Sequence, residues 1–303
     1  MSAPATMRVP ASTANLGPGF DSLGLALNLY LTLHIEEADE WSFEHVSPIL
    51  EGLPNDKNHL VYQVAKKTAD LYHAELPPLK ITMESEIPLA RGLGSSAAAI
   101  AAGIEVADRY ARLSLTNEEK LKIGNLFEGH PDNIGASIYG GIVAGVSFGE
   151  RAELIQLPRV DMDIVVVIPS YELKTEDARN VLPDSFSRKQ AVEASAVANV
   201  ALAALLTGEL ELAGEMMEKD LFHEPYRISL IKEFPEARQI SKENGAFSAV
   251  ISGAGPTIIS FARKGNGERL EKALKASFSS CEVKKLEIDY DGVQYEKVGQ
   301  KLV

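Results

Sequence analysis

One segment restricts the fold more than any other. It is Gly92-Leu93-Gly94-Ser95-Ser96-Ala97, where two glycines and two serines open a helical pattern. Glycines at 92 and 94 allow left-handed backbone and remove the side chains that would hold an anion at a distance. From Ser95 to Arg112 the chain reads as a helix, with small residues at its start and Ile100, Ile104, Ala107 and Ala111 at spacings of three and four. A glycine turn running into a helix start offers free N–H groups and the positive end of the helix dipole to a phosphate. The hydroxyls of Ser95 and Ser96 add oxygen ligands that suit magnesium. A turn that only joins strand to helix uses the same glycines, so the neighbouring segments have to decide.

Two common nucleotide loops compete. The Walker A pattern needs a lysine after its second glycine, and no such string occurs. Gly92-x-Gly94-x-x-Ala97 formally satisfies the dinucleotide fingerprint, which also requires a strand ending in an acidic residue about 20 positions on. At that distance Thr116 and Glu119 instead form a capping box, which opens a second helix running to about Phe127 and leaves Glu128 where a loop begins. His-Arg-Asp and Asp-Phe-Gly signatures are absent. The loop belongs to a third phosphate-binding architecture.

The 303 residues suit two domains, 1–155 and 156–303, of mixed α and β structure. Leu25 to Glu36 reads as extended chain, Leu60 to Tyr72 as helix and Leu79 to Met83 as extended again; Gly140 to Gly145 reads as a strand that closes the first domain. Asp163 to Pro169 has a buried-strand pattern, followed by helices near 174–181, 188–207, 209–221 and 235–244. Strands Ala249–Ser252 and Thr257–Ala262 flank Gly253-Ala254-Gly255-Pro256, and a helix Glu268–Ser277 and a strand Val283–Tyr290 complete the pattern.

Thirty basic against 43 acidic residues give a net charge of −13, which repels nucleic acid and anionic membrane surfaces. A bound nucleotide must therefore be held by local N–H groups and a metal. Cys281 is the single cysteine, as expected in a reducing cytosol. Met1 to Arg8 lacks the apolar core of a signal peptide, and Ala194 to Leu206 is short for a membrane span. A cytoplasmic protein without nucleic-acid or membrane partners is the expectation.

Three motifs, in order, resemble those of the GHMP kinases: Pro10-Ala11-Ser12-Thr13-Ala14-Asn15-Leu16-Gly17-Pro18-Gly19-Phe20-Asp21, Ile87 to Ala98, and Ser252-Gly253-Ala254-Gly255-Pro256-Thr257. The first motif reads closest to the homoserine kinases, as do Glu128-Gly129-His130-Pro131-Asp132-Asn133 and Thr175 to Pro183. The resemblance implies an α+β, two-domain fold, with an N-terminal domain like ribosomal S5 domain 2 (a left-handed βαβ unit) and a ferredoxin-like C-terminal domain. It also implies a homodimer that uses ATP and Mg2+ to convert L-homoserine to O-phospho-L-homoserine, a step of threonine biosynthesis. A sister kinase acting on another alcohol, and a non-catalytic sensor on the same fold, are the alternatives.

Particular residues follow from the resemblance. Triphosphate falls on Pro88, Leu89, Ala90, Arg91, Gly92, Leu93, Gly94, Ser95, Ser96, Ala97 and Ala98, with Asn58 of the stretch Asp56-Lys57-Asn58-His59 near base and ribose. Lys57 reads equally well as a surface lysine. Ser96, or Ser95, with Glu128 matches the magnesium ligands. Arg179 and Arg227 match carboxylate-binding arginines; Asn15, Asp21 and Thr175 match polar substrate contacts. Asp132 and Asn133 form the catalytic pair near amine and hydroxyl, Asp132 being the candidate base although homoserine kinases rely on transition-state stabilisation. His130 either orients this loop or is structural, and Gly253 lies in a turn expected to complete the site.

Overall fold

The structure, a computed structural model, describes residues 4–149 and 151–297. Residues 1–3 of the Met1–Arg8 stretch thus lie outside the described residues. The first half runs β1 (Ala5–Asn15), β2 (Gly19–Glu37), β3 (Ser42–His45), α1 (Leu60–Leu71), β4 (Leu79–Ser85), α2 (Ser95–Tyr110), α3 (Asn117–Glu128), α4 (Asp132–Tyr139), β5 (Ile142–Phe148) and β6 (Arg151–Gln156). The second half continues with β7 (Met162–Ile168), α5 (Thr175–Asn180), α6 (Arg188–Thr207), α7 (Leu210–Met217), α8 (Glu224–Arg227), α9 (Phe234–Glu243), β8 (Ala246–Ile251), β9 (Ile258–Arg263), α10 (Gly267–Ser277), β10 (Glu282–Leu286) and β11 (Gln294–Lys297).

A seven-stranded sheet has the order β11-β1-β2-β4-β3, with β5 also on β2 and β6 on β5. Its centre is the long antiparallel pair β1–β2, whose Met7, Val9, Leu25, Leu27 and Leu33 are completely buried. The second sheet, β10-β7-β9-β8, is antiparallel throughout, with the last strand beside the first. That is the split βαβ arrangement of a ferredoxin-like domain, with five helices in its first crossover. β7 is buried along its length, and apolar except at Asp163, because both faces are covered: Ile164 and Val166 enter the main core, Val165 and Val167 a second one.

Most elements expected from periodicity form close to their expected limits, β2 starting at Gly19 instead of Leu25, and the structure adds β1, β3, α4, β6, α8 and β11. The final strand stops at Leu286 instead of Tyr290, and Gln294 to Lys297 cross back to pair with Arg8 to Ala5. The edge that β1 leaves open thus takes up the C-terminal strand. α4 escapes a sequence reading because its eight residues include a glycine and follow Pro131; burial of Ile134 and Ile138 holds it in place.

Gly214 of α7 lies on β8 so closely that a Cβ would sit 1.9 Å from the Phe247 carbonyl oxygen. Gly214→Ala should cost about 1–3 kcal/mol through this overpacking. Thermal unfolding followed by circular dichroism would show it as a lowered Tm, and an unchanged Tm would refute the contact.

Candidate active site

The link between β1 and β2 is wound tightly, with Asn15 (φ 74°), Leu16 (φ 47°) and Asp21 (φ 54°) in the left-handed region. Such backbone is costly for these residues and is held by tertiary bonds. The Asn15 amide donates to the Gly253 carbonyl (3.1 Å) and accepts from the Asp21 N–H (3.1 Å). The Asp21 carboxylate accepts two bonds from the Arg179 guanidinium, at 2.7 and 3.2 Å. One turn thereby ties α5 to the first sheet.

Gly94 (φ 69°) is the residue before α2, and no side chain caps that helix. A Cβ on Gly94 would lie 2.1 Å from Ser12 Oγ, and one on Gly92 would lie 2.2 Å from the Ser252 carbonyl oxygen. The Ser252 hydroxyl donates to the Gly92 carbonyl (2.6 Å) and lies 2.8 Å from the Thr13 hydroxyl. Ser12 N–H bonds Leu93 O, Gly253 N–H bonds Ala14 O, and Thr257 N–H bonds Arg91 O, at 3.2, 3.2 and 3.3 Å. The glycines thus meet a packing requirement and also leave the first-turn N–H groups of α2 free for an anion.

The loop borders a cleft of about 270 Å³. Of the residues singled out from the sequence, Asn15, Asp21, Ala90, Arg91, Gly92, Gly94, Ser95, Ser96, Ala97, Glu128, His130, Asp132, Asn133, Thr175, Arg179, Arg227 and Gly253 all line it. Leu89 and Asn58 line a second, apolar cavity of about 260 Å³ that shares Ser95 and Ser96 with the first and is walled by Leu31, Leu50, Met83 and Ile87. Leu93 and Ala98 are buried in the core, and Pro88 lines neither space. Lys57 borders a separate open cleft beside Trp41. The Arg91 guanidinium donates to the carbonyls of Leu89, Pro169 and Ser170 at 2.7–3.1 Å, bracing the loop against the chain after β7.

Glu128 ends α3 and lines the cleft with Ser96. Burial raises its pKa, against the lowering effect of the His130 charge and of the Ser96 hydroxyl. Asp132 Oδ1 accepts from Asn133 N–H (2.7 Å) and lies 2.9 Å from His130 Nδ1. Burial depresses the His130 pKa, but its bond to Asp132 and the charges of Asp132, Asp21 and Glu128 outweigh this and raise it. Asn133 Oδ1 accepts from the Ser12 hydroxyl (3.0 Å). Ligand atoms of Asp21, His130 and Asp132 fall within 4.8 Å of one another, so anionic charge converges on the cleft wall facing α2.

Arg227 is 2% exposed. Its guanidinium donates to Ala178 O (2.9 Å) and Gly253 O (3.0 Å) and meets His223 Nδ1 at 3.2 Å. Among the described residues no carboxylate forms an ion pair with it. Burial and the neighbouring Arg179 charge bring its pKa down to about 10. His223 lies 2.9 Å from the Gly17 carbonyl through Nε2 and stacks on Phe20 at 5.3 Å; Phe20 also lies 5.3 Å from Arg227 and 5.5 Å from Arg179. Burial keeps His223 neutral, with its pKa lowered, so that Nδ1 accepts from the arginine. Sequence reading missed His223 and Asp220, whose carboxylate caps the start of α8 through Phe222, His223 and Glu224 N–H. The steps of three, one and three along Asp220, His223, Glu224 and Arg227 were the available signal.

The family model for the GHMP kinase N-terminal domain matches residues 59–141, and that for the C-terminal domain matches residues 201–280. A protein named homoserine kinase from Bacillus licheniformis is 50% identical over 96% of this chain and 95% of its own. One from Staphylococcus saprophyticus is 46% identical over 97% and 98%. The crystal structure of homoserine kinase from Cytophaga hutchinsonii superposes with a TM-score of 0.86 at 26% identity, covering 98% of each chain. A mevalonate kinase from Methanococcus jannaschii shares the fold at 18% identity, with a TM-score of 0.72 over 93% of this chain and 98% of its own. The chain belongs to the GHMP kinase family, and within it to the homoserine kinases.

His59 sits at the entrance to α1, its Nδ1 accepting from Val61 N–H (3.2 Å) and its ring stacked on Phe43 at 4.1 Å. Burial, with help from His45, lowers its pKa to about 4. The unfolded chain takes up this proton first, so the contribution of His59 is complete above the ordinary pKa of 6.5 and is lost as pH falls towards 4. The loss should reach about 3 kcal/mol at most. Urea unfolding between pH 7 and pH 4 should show it, with a smaller pH dependence in His59→Asn; equal slopes in both proteins would refute it.

Proposed function

We propose that the protein transfers the γ-phosphoryl group of ATP to the side-chain hydroxyl of L-homoserine, giving O-phospho-L-homoserine in the cytosol, as a homodimer. The observation that carries this reading is the buried Arg227 guanidinium, without a carboxylate of its own, in the same cleft as the uncapped start of α2. A buried cation needs an anionic partner, and an amino-acid carboxylate held by Arg227 and Arg179 would leave its side chain directed along the cleft. Asp21 and Asp132 offer negative charge to the ammonium group. The names of the homoserine kinase relatives support the choice of acceptor.

The nucleotide base fits the apolar cavity beside Asn58, and its phosphates fit over the first turn of α2. The Ser96 hydroxyl and the Glu128 carboxylate, hard oxygen donors on one cleft, fit magnesium. Bound there, the ion would offset charge on the phosphate oxygens. The chain's own contribution is positioning: Ser12 holds Asn133, and Asn133 with His130 holds Asp132. Asp132 Oδ2 has no hydrogen-bond partner among the described residues and can accept from the substrate hydroxyl.

Purified protein should consume ATP with L-homoserine and magnesium; turnover instead with galactose, mevalonate or shikimate would transfer the site to a sister kinase. Glu128→Gln should lower kcat by about 10²-fold or more, and an unaffected kcat would remove Glu128 from the metal site. Arg227→Lys should raise KM for the amino acid by roughly 10- to 150-fold, the equivalent of a charge-assisted bond, while KM for ATP stays close to wild type. Steady-state kinetics on folded variants checks both, and equal changes in the two KM values would refute the assignment of Arg227 to the acceptor.

A further inference from the structure

His223 is completely buried at the entrance to α8, between Arg227 and the turn that leads from β1 to β2. Its Nε2 lies 2.9 Å from the Gly17 carbonyl oxygen and 3.4 Å from Asp220 Oδ2, two acceptors that keep the ring proton on that nitrogen. Nδ1 is then the unprotonated nitrogen, and it meets Arg227 Nη1 at 3.2 Å as an acceptor. A second proton on the ring would point at the guanidinium, and burial together with the Arg227 charge opposes it.

The orientation of Arg227 is fixed by these bonds. Nε donates to Ala178 O, and Nη1 donates to Gly253 O and to His223, while Nη2 has no hydrogen-bond partner among the described residues. Since Arg227 lines the cleft, Nη2 is the nitrogen left for an anionic ligand. The other end of the imidazole holds a different part of the site. Gly17 belongs to the turn in which Asn15, Leu16, Gly17 and Asp21 all have positive φ, and Asp21 of that turn lines the same cleft. Phe20, next to Asp21, stacks on the His223 ring at an interplanar angle of 21°. A single ring thus bonds the cation assigned to the acceptor carboxylate and the turn whose Asp21 is assigned to the acceptor ammonium.

We propose that His223 is a positioning residue for the amino-acid acceptor, setting the distance between the group that takes its carboxylate and the group that takes its ammonium. The assignment rests on the homoserine reading above. A ligand held at both groups is fixed about its α-carbon, so the residue that spaces them also sets the preference between enantiomers.

Steady-state kinetics with L- and D-homoserine on variants with wild-type circular dichroism tests this. In His223→Met, which keeps most of the volume and removes both hydrogen bonds, KM for L-homoserine should rise roughly 10-fold, the worth of one bond to a charged group. KM for ATP should stay close to wild type, and the preference in kcat/KM for L- over D-homoserine should fall by about the same roughly 10-fold. His223→Ala should behave alike, and His223→Gln, whose amide offers one acceptor and donors, should recover most of both losses. Equal changes in KM for ATP and for both enantiomers, or an unchanged enantiomer preference, would make His223 a packing residue and overturn the proposal alone. A wild type that turns over ATP with another alcohol and not with homoserine would overturn the acceptor reading and the proposal with it.

Discussion

The site depends on a joint made largely of backbone. Gly92 rests on the Ser252 carbonyl, Gly94 rests on Ser12, and the Ser252 hydroxyl closes the contact by bonding Gly92 O and Thr13. No side chain larger than hydrogen fits at either glycine, so the phosphate loop, β1 and the turn between β8 and β9 approach to within backbone contact. From that joint the first turn of α2 acquires its direction, and the Asn15 amide acquires the Gly253 carbonyl that holds the left-handed turn before Asp21. Arg91 adds a brace from the other side.

Charge is distributed around this joint by burial. The chain as a whole is acidic, yet the cations lining the cleft are three arginines and no lysine. Arg91 is bound by carbonyl groups and by Glu172 at 3.5 Å, Arg179 is matched by Asp21, and Arg227 is left without a carboxylate. Guanidinium suits this use because it stays charged when buried and presents several donors in one plane. His223 can accept from Arg227 only while neutral, and burial, helped by the Arg227 charge, lowers its pKa against the opposing pull of Asp220 and the Gly17 carbonyl. The anionic side, Glu128 and Asp132, lines the same cleft as the start of α2.

Local hydrogen bonds made much of the site legible from the sequence. Both halves of the Thr116–Glu119 capping box form, and this put Glu128 at a helix end before any tertiary contact was known. The small residues opening α2 and the β-like runs of the second half were similarly local, because periodicity records which face of an element is buried. Less legible were features that exist only through packing. α4 has little propensity of its own, β11 completes a sheet begun almost 300 residues earlier, and His223 gains its role from Phe20 and Gly17 across the fold.

By itself the sequence determined most of the helices and core strands, the helix that opens on the glycine loop, and many of the polar residues that line the cleft, because these follow from spacing, caps and glycine content. Only the tertiary structure decided that Arg91 braces the loop, that Lys57 borders another cleft, and that Arg227 is buried without a carboxylate of its own. The bond from Ser252 to Gly92 spans 160 residues. No local propensity encodes such a contact, and its geometry exists only once both sheets are formed.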